Sequence, residues 1–322
     1  MPTVTGSRVF GPAAAFILGT TEPVGGSNVG TGIVASAPSA NVTVDGTIVT
    51  YNATTEVYTV AAGQTVERKI FPGFVNLAAG ATIRNCLVSG PPAEHASDRA
   101  LVQGPTTGST RATVSFCTID PTVASPYYDG IHALNIYAER TWIKNTTDGF
   151  RVYNTGGGAI NFLGEGCLSE SMAQFAPDYV NSRTETHDDA AQMQGTTAAG
   201  LTAADVYFDG CKLDARHSTT KGNIPPYRTQ LSALMLTPNV GPVHSTFTRG
   251  WLRGGMYCIN AVHASLSSTS HLTVTSTRFE RPGTGTNAPS VAFAVKSGST
   301  LTLVQSGNTY IDNAAAVSVT YI

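Results

Sequence analysis

Apolar and polar residues alternate in short runs along most of this chain. That period of two predicts β-strands, and almost no stretch carries the 3.6-residue period of a helix. One run returns again and again: ATIRNCLVSG (81–90), ATVSFCTIDP (112–121), NFLGEGCLSE (161–170) and DVYFDGCKLD (205–214), then STFTRGWLRG (245–254), LTVTSTRFER (272–281) and LTLVQSGNTY (301–310). Each copy reads as a strand, a small turn and a further apolar residue. Cys86, Cys117, Cys167 and Cys211 hold one place in it, followed by Trp251 and Arg278. NIYAERTWIKN (135–145) is a further copy of ambiguous register.

A second pattern runs out of phase with the first: Asp, any residue, apolar, polar or mixed, apolar. Its copies are DRALV (98–102), DGIHA (129–133), DGFRV (148–152) and DAAQM (189–193). SALML (232–236), GGMYC (254–258) and SVAFA (290–294) keep the alternation without the Asp. Two strand types alternating over a cycle of about 20–45 residues predict a stack of strands in register, because one turn of such a chain cannot bury its own apolar face. A two-sheet sandwich would place its Asp-Gly turns at shorter, hairpin-like spacing. The expected fold is therefore all-β, a solenoid of about eight to ten coils over 66–322. Residues 31–65 are expected to form a cap or first strands, and residues 1–30, rich in Gly, Pro, Ser and Thr, an attachment arm.

Composition narrows the partners. Only 12% of residues are charged and 41% are hydrophobic, which argues against disorder. The net charge of −2 and the lack of a basic patch make nucleic acid an unexpected partner. No apolar run reaches the roughly 18–20 residues of a membrane helix, and the N-terminus does not read as a signal peptide. Five cysteines without a CxxC pair suit buried thiols better than a disulfide framework or a zinc site.

Candidate chemistry gathers in RTETHDDAAQMQG (183–195), which is dense in charge for this chain. Strict alternation turns Asp189 inward with Ala191 and Met193, and Asp188 outward, although a bend at the strand start leaves Asp189 open. Aligned copies stack Asp98, Asp129, Asp148 and Asp189 at one corner, with His132, Arg151 and Gln192 as a column on the outer face. Such Asp residues either accept hydrogen bonds at their own turns or crowd one another. Crowding would raise a pKa or recruit Ca²⁺ at Asp129, Asp148 and Asp189. A glycosidase would need two carboxyls about 5–5.5 or 6.5–9.5 Å apart. Candidates are Asp148, Asp188 and Asp189, with His187 and His217 as proton carriers or sugar contacts, and Arg183 and Arg216 for an acidic sugar. A lyase would use Ca²⁺ with an Arg or Lys base. Tyr127 and Tyr128 would offer aromatic faces to a sugar or pack in a core.

DGI (129–131) and H-x-D-x-x-Q (187–192), set among TIRNC-like coils (82–86), resemble the right-handed parallel β-helix superfamily, the pectate-lyase-like fold, over roughly 65–322. More narrowly, RKIFPGFVNLAAGATIRNCLVSG (68–90), DGIHALNIYAERTWIKN (129–145), HDDAAQMQG (187–195) and GGMYCINA (254–261) look like minor tail proteins of phages that infect actinobacteria. The resemblance implies a virion protein of the tail or tail tip, tailspike-like. It would contact host-envelope glycans, join other tail proteins, form a homotrimer and not insert into membranes. Polysaccharide degradation and a purely structural role are the alternatives. Against polygalacturonase-like enzymes, YYD (127–129), HDD (187–189) and ARH (215–217) are loose counterparts, and the Gly-His-Gly motif is missing.

Overall fold

A computed structural model of the chain describes residues 42–44, 47–96, 98–153, 160–176, 186–194, 204–222, 231–237, 243–262, 270–283 and 288–322. Among the described residues every regular element is a strand, and no helix is present to cross a membrane. The strands build three long sheets. The first has twelve strands, from Val42–Val44 (β1) to Thr320–Tyr321. The second has nine, from Thr65–Glu67 to Thr302–Ser306, and the third nine, from Ile70–Phe71 to Thr309–Tyr310. After Val57–Val60 (β3) the chain visits the second, third and first sheets in turn, adding one strand to each. Among the described residues only β1 with Thr47–Asn52 (β2), and β2 with β3, pair antiparallel; the other strand pairs there are parallel. A two-stranded sheet, Met172–Gln174 with His217–Gly222, sits apart.

Alternation explains the interior. In the first sheet Val75, Val102, Ile131, Phe150 and Ala191 pair in register and are buried. Phe150, Phe162, Phe208 and Phe247 follow one another through the core, with ring centroids 5.2–6.1 Å apart. Aromatic rings at such separations favour tilted and edge-on contacts, which is what these pairs adopt.

The turn from the second sheet to the third repeats one device. Arg68, Asn85, Phe116, Arg140, Gly166, Gly210, Arg249, Ser276 and Gly307 are left-handed there, with φ between 43° and 64°. That conformation is costly for a side chain larger than glycine. Here it aims each N–H at the neighbouring cycle: Asn85 donates to the Ser115 carbonyl at 3.0 Å and Arg140 to that of Glu165 at 2.8 Å. The following residue turns inward and bonds a carbonyl one cycle back. Cys117 Sγ reaches Ile83 O at 3.6 Å, Thr141 Oγ1 reaches Val114 O at 3.1 Å, and Cys167 Sγ reaches Ala138 O at 3.3 Å. The cysteine column is therefore a row of buried free thiols serving as corner pegs. Thr141 in that row fixes the register of 135–145.

Two alignments need correction. Lys212, not Cys211, pairs with Trp251, so Gly250 takes the next place in the cysteine column. A Cβ there would collide with the Phe247 ring and the Cys211 carbonyl. In the first sheet Ser232 continues the aspartate column but pairs with Tyr257, not Gly254.

The Asp-Gly pairs at 129–130 and 148–149 are not hairpin turns. Gly130, Gly149, Ala190 and Ala233 fall in one column of small residues. A Cβ on Gly149 would strike Ser169 Oγ of the third sheet and lie 2.5 Å from the Ala190 carbonyl. Gly149→Ala is therefore expected to lower stability by about 2–3 kcal/mol, the upper part of the roughly 1–3 kcal/mol range for overpacking. A chemical denaturation midpoint equal to the parent's would refute this packing account.

Candidate functional site

The outer face of the first sheet carries a polar ladder. Thr59, Asn76, Gln103, His132, Arg151 and Gln192 pair successively in register, and Met235 and Asn260 continue the column. His132, Arg151 and Gln192 thus stand where the sequence places them. The early rungs line a cleft of about 610 Å³. Its far wall is the β2–β3 turn, where Asn52 Oδ1 accepts the N–H groups of Thr54 and Thr55 at 3.0 and 3.1 Å. Arg99 ties this turn to the sheet. Its Nη1 donates to the Thr55 carbonyl at 3.0 Å, and its guanidinium lies 5.0 Å from the Phe74 ring centroid. Asp98 and Asp129 complete the wall beside Arg151.

The aspartates form a column at the strand starts, with one correction. Asp129 pairs with Ala100, so Asp98 sits two residues away from the expected position. The apolar pairing of Val102 with Ile131 sets this register and overrides the Asp alignment. The column proper is Asp129, Asp148, Asp189 and then Ser232. Arg151 restores the link to Asp98: its Nη1 donates to Asp129 Oδ2 at 2.8 Å and to Asp98 Oδ1 at 3.2 Å. Thr147 Oγ1 donates to Asp129 Oδ1 at 3.1 Å, and the Asp189 N–H donates to Asp148 Oδ1 at 3.0 Å.

Hydrogen bonding and crowding therefore coexist. Burial, with the neighbouring Asp129 carboxylate, pushes Asp148 up to about 8, against the opposing pull of Arg151. Asp189 is pushed well above the usual carboxylate range by burial and by Asp148 and Asp188, while Ser232 pulls the other way. Among the described residues no group of three or more His, Cys, Asp or Glu side chains converges as a metal site, so the Asp129, Asp148 and Asp189 column does not have the geometry of a Ca²⁺ cage.

Other candidates fall elsewhere. Asp188 is fully buried rather than outward. It precedes the strand Ala191–Gln194, so strand alternation does not govern it. His187 is half-buried beside it. Tyr128 is also fully buried; its oxygen accepts the His95 N–H at 2.7 Å and its ring meets Phe74 edge-on, so it presents no face to a sugar. Tyr127 packs partly buried against the core. Arg216 is not brought to the aspartate column: Nε donates to Asp214 at 2.7 Å, and the pair holds Asp214 below its ordinary range despite burial. His217 belongs to the two-stranded sheet, where burial alone lowers it to about 4. Arg183 lies outside the described residues.

Asn76, Gln103, Arg99 and the β2–β3 turn went unnoticed in the sequence. Aligning RALVQ on Val102 rather than on Asp98 would have placed Gln103 over His132. No protein family, curated protein or solved structure matches the chain.

Proposed function

We propose that the chain is a right-handed, single-stranded parallel β-helix of about eight to ten coils. It would serve in a phage tail as a minor tail or tailspike-like protein that binds host-envelope glycans. The observation that carries the glycan reading is the cleft, walled by amide, hydroxyl, imidazole and carboxylate groups on successive strands. Parallel strands repeat at about 4.8 Å, a step close to the length of one pyranose unit, so a glycan lying across the strands would meet one rung per sugar. The antiparallel pairing of β1 to β3 suits the part of a 31–65 cap that is described, whereas residues 1–41 lie outside the described residues. Residues 1–30 as an attachment arm, a homotrimer and docking to other tail proteins belong to the same proposal.

The test is binding of the purified protein to envelope polysaccharide from a panel of actinobacteria. The Gln103→Ala, His132→Ala double variant is expected to bind about tenfold or more weakly, at roughly 1 kcal/mol for each hydrogen-bonding side chain. Its melting temperature should stay near the parent's. Unchanged affinity would remove the cleft from the binding surface.

A second reading, glycan cleavage, is favoured by one observation. Asp148, held protonated near neutral pH, neighbours Asp129 on the adjacent strand. Adjacent strands bring two carboxyls near the roughly 5–5.5 Å of a retaining glycosidase. Asp148 does not line the cleft, so binding without cleavage is the reading we favour. Release of reducing ends that Asp148→Asn abolishes would reverse that order.

A further inference from the structure

We infer that the cleft selects neutral, hydroxyl-rich glycans and excludes carboxylated or sulfated ones; this rests on the glycan reading above. The charged side chains on its walls balance, Asp98 and Asp129 against Arg99 and Arg151. Neither cation faces the opening alone. Arg151 is ion-paired with both carboxylates, and Arg99 is engaged with the Thr55 carbonyl and the face of Phe74. An anionic sugar needs an arginine fork or an ammonium to replace its lost hydration. Here it would have to displace Asp98 or Asp129 from Arg151 and then face the displaced carboxylate.

Several acceptors stand open on the ladder. Gln103 Nε2 already donates to the carbonyls of Gly104 and His132, at 3.2 and 3.0 Å, which leaves the Gln103 amide oxygen to accept. Asp98 is nearly half exposed and keeps acceptor capacity beyond its bond to Arg151. Asn76 is exposed on the next rung. Sugar hydroxyls donate readily to such oxygens, whereas a uronate carboxylate cannot.

The test is a glycan array at pH 7.5. It would be followed by solution titration with two probes of one backbone: oligogalacturonate and the same oligosaccharide with its C6 carboxyls reduced to hydroxymethyl groups. The expected result is retention of neutral array members and at least a tenfold preference for the reduced probe, or for the neutral member of whichever neutral and acidic pair the array identifies. Asp98→Asn, which removes one negative charge from the wall and loosens Arg151, should narrow that preference several-fold without unfolding the protein. Equal or tighter binding of acidic members would overturn the selectivity and leave the glycan reading standing. A folded protein that retains no glycan of either kind would overturn both.

Discussion

Arg151→Ala is expected to lower stability by about 3 kcal/mol at neutral pH, the lower end of the cost of removing one partner from a buried ion pair. The reason is Asp129, whose side chain is only 6% exposed and takes its charged bond from Arg151 at 2.8 Å. The second partner, Asp98, is 46% exposed and adds little, because water screens it. Without the guanidinium, Asp129 would lose its charged donor and stand beside Asp148 on the adjacent strand. The variant should recover part of its loss at pH 5 relative to pH 8, because Asp148, which the guanidinium favours in its ionised form, then holds its proton in both proteins. Arg151→Lys should fall between, since an ammonium restores a charge but not the planar guanidinium whose Nη1 reaches both aspartates. The measurement is urea denaturation of the three proteins at pH 5 and pH 8. An Arg151→Ala cost that is the same at both pH values would show that the side chain acts through packing alone. The same substitution would leave the cleft with a net negative wall, so its discrimination against acidic glycans should widen.

How far the site was legible follows from what sets register. The cysteine row could be read because a corner residue must reach an inner carbonyl, so a few small polar or thiol side chains recur at fixed phase; Cys86, Cys117, Cys167 and Cys211 keep that phase across insertions. His132, Arg151 and Gln192 were legible for a related reason: the residues flanking them, such as Ile131 and Phe150, are apolar and pin the pairing. Asp98 was misread because a shared residue type was taken as the anchor where burial of Val102 is the stronger constraint. Trp251 slipped by one for a steric cause, the Phe247 ring that excludes any side chain at Gly250. The cleft itself was not legible. It depends on the β2–β3 turn meeting Arg99, an antiparallel feature that precedes the repeat and leaves no periodic trace. Tyr128 could not be separated from a surface tyrosine by pattern, since its burial rests on His95 and Phe74 from two other segments.

Stability is expected to fall as pH rises from about 4 to about 8, and the aspartate column is the cause. In the unfolded chain Asp148 titrates near the ordinary carboxylate value of about 3.9, whereas in the folded chain it holds its proton to about 8. Between those limits the folded state binds more protons than the unfolded state, so each pH unit removes stability; above about 8 the loss is complete and the curve levels. Asp189, raised by the same burial and by Asp148 and Asp188, acts in the same direction. At about 1.4 kcal/mol per unit, Asp148 is worth several kcal/mol across this range. Arg151 and the Asp189 N–H limit the effect by favouring ionised Asp148, as Ser232 does for Asp189. Asp148→Asn keeps an oxygen to accept the Asp189 N–H and cannot ionise. It should match the parent near pH 5, melt about 5 °C or more above it at pH 9, and show a shallower decline between. Melting curves of parent and variant at unit pH steps decide the matter. Parallel pH profiles would mean that the folded column releases its protons at ordinary carboxylate pH, and Asp148 could then serve neither as a held acid nor as the group that limits negative charge beside Asp129.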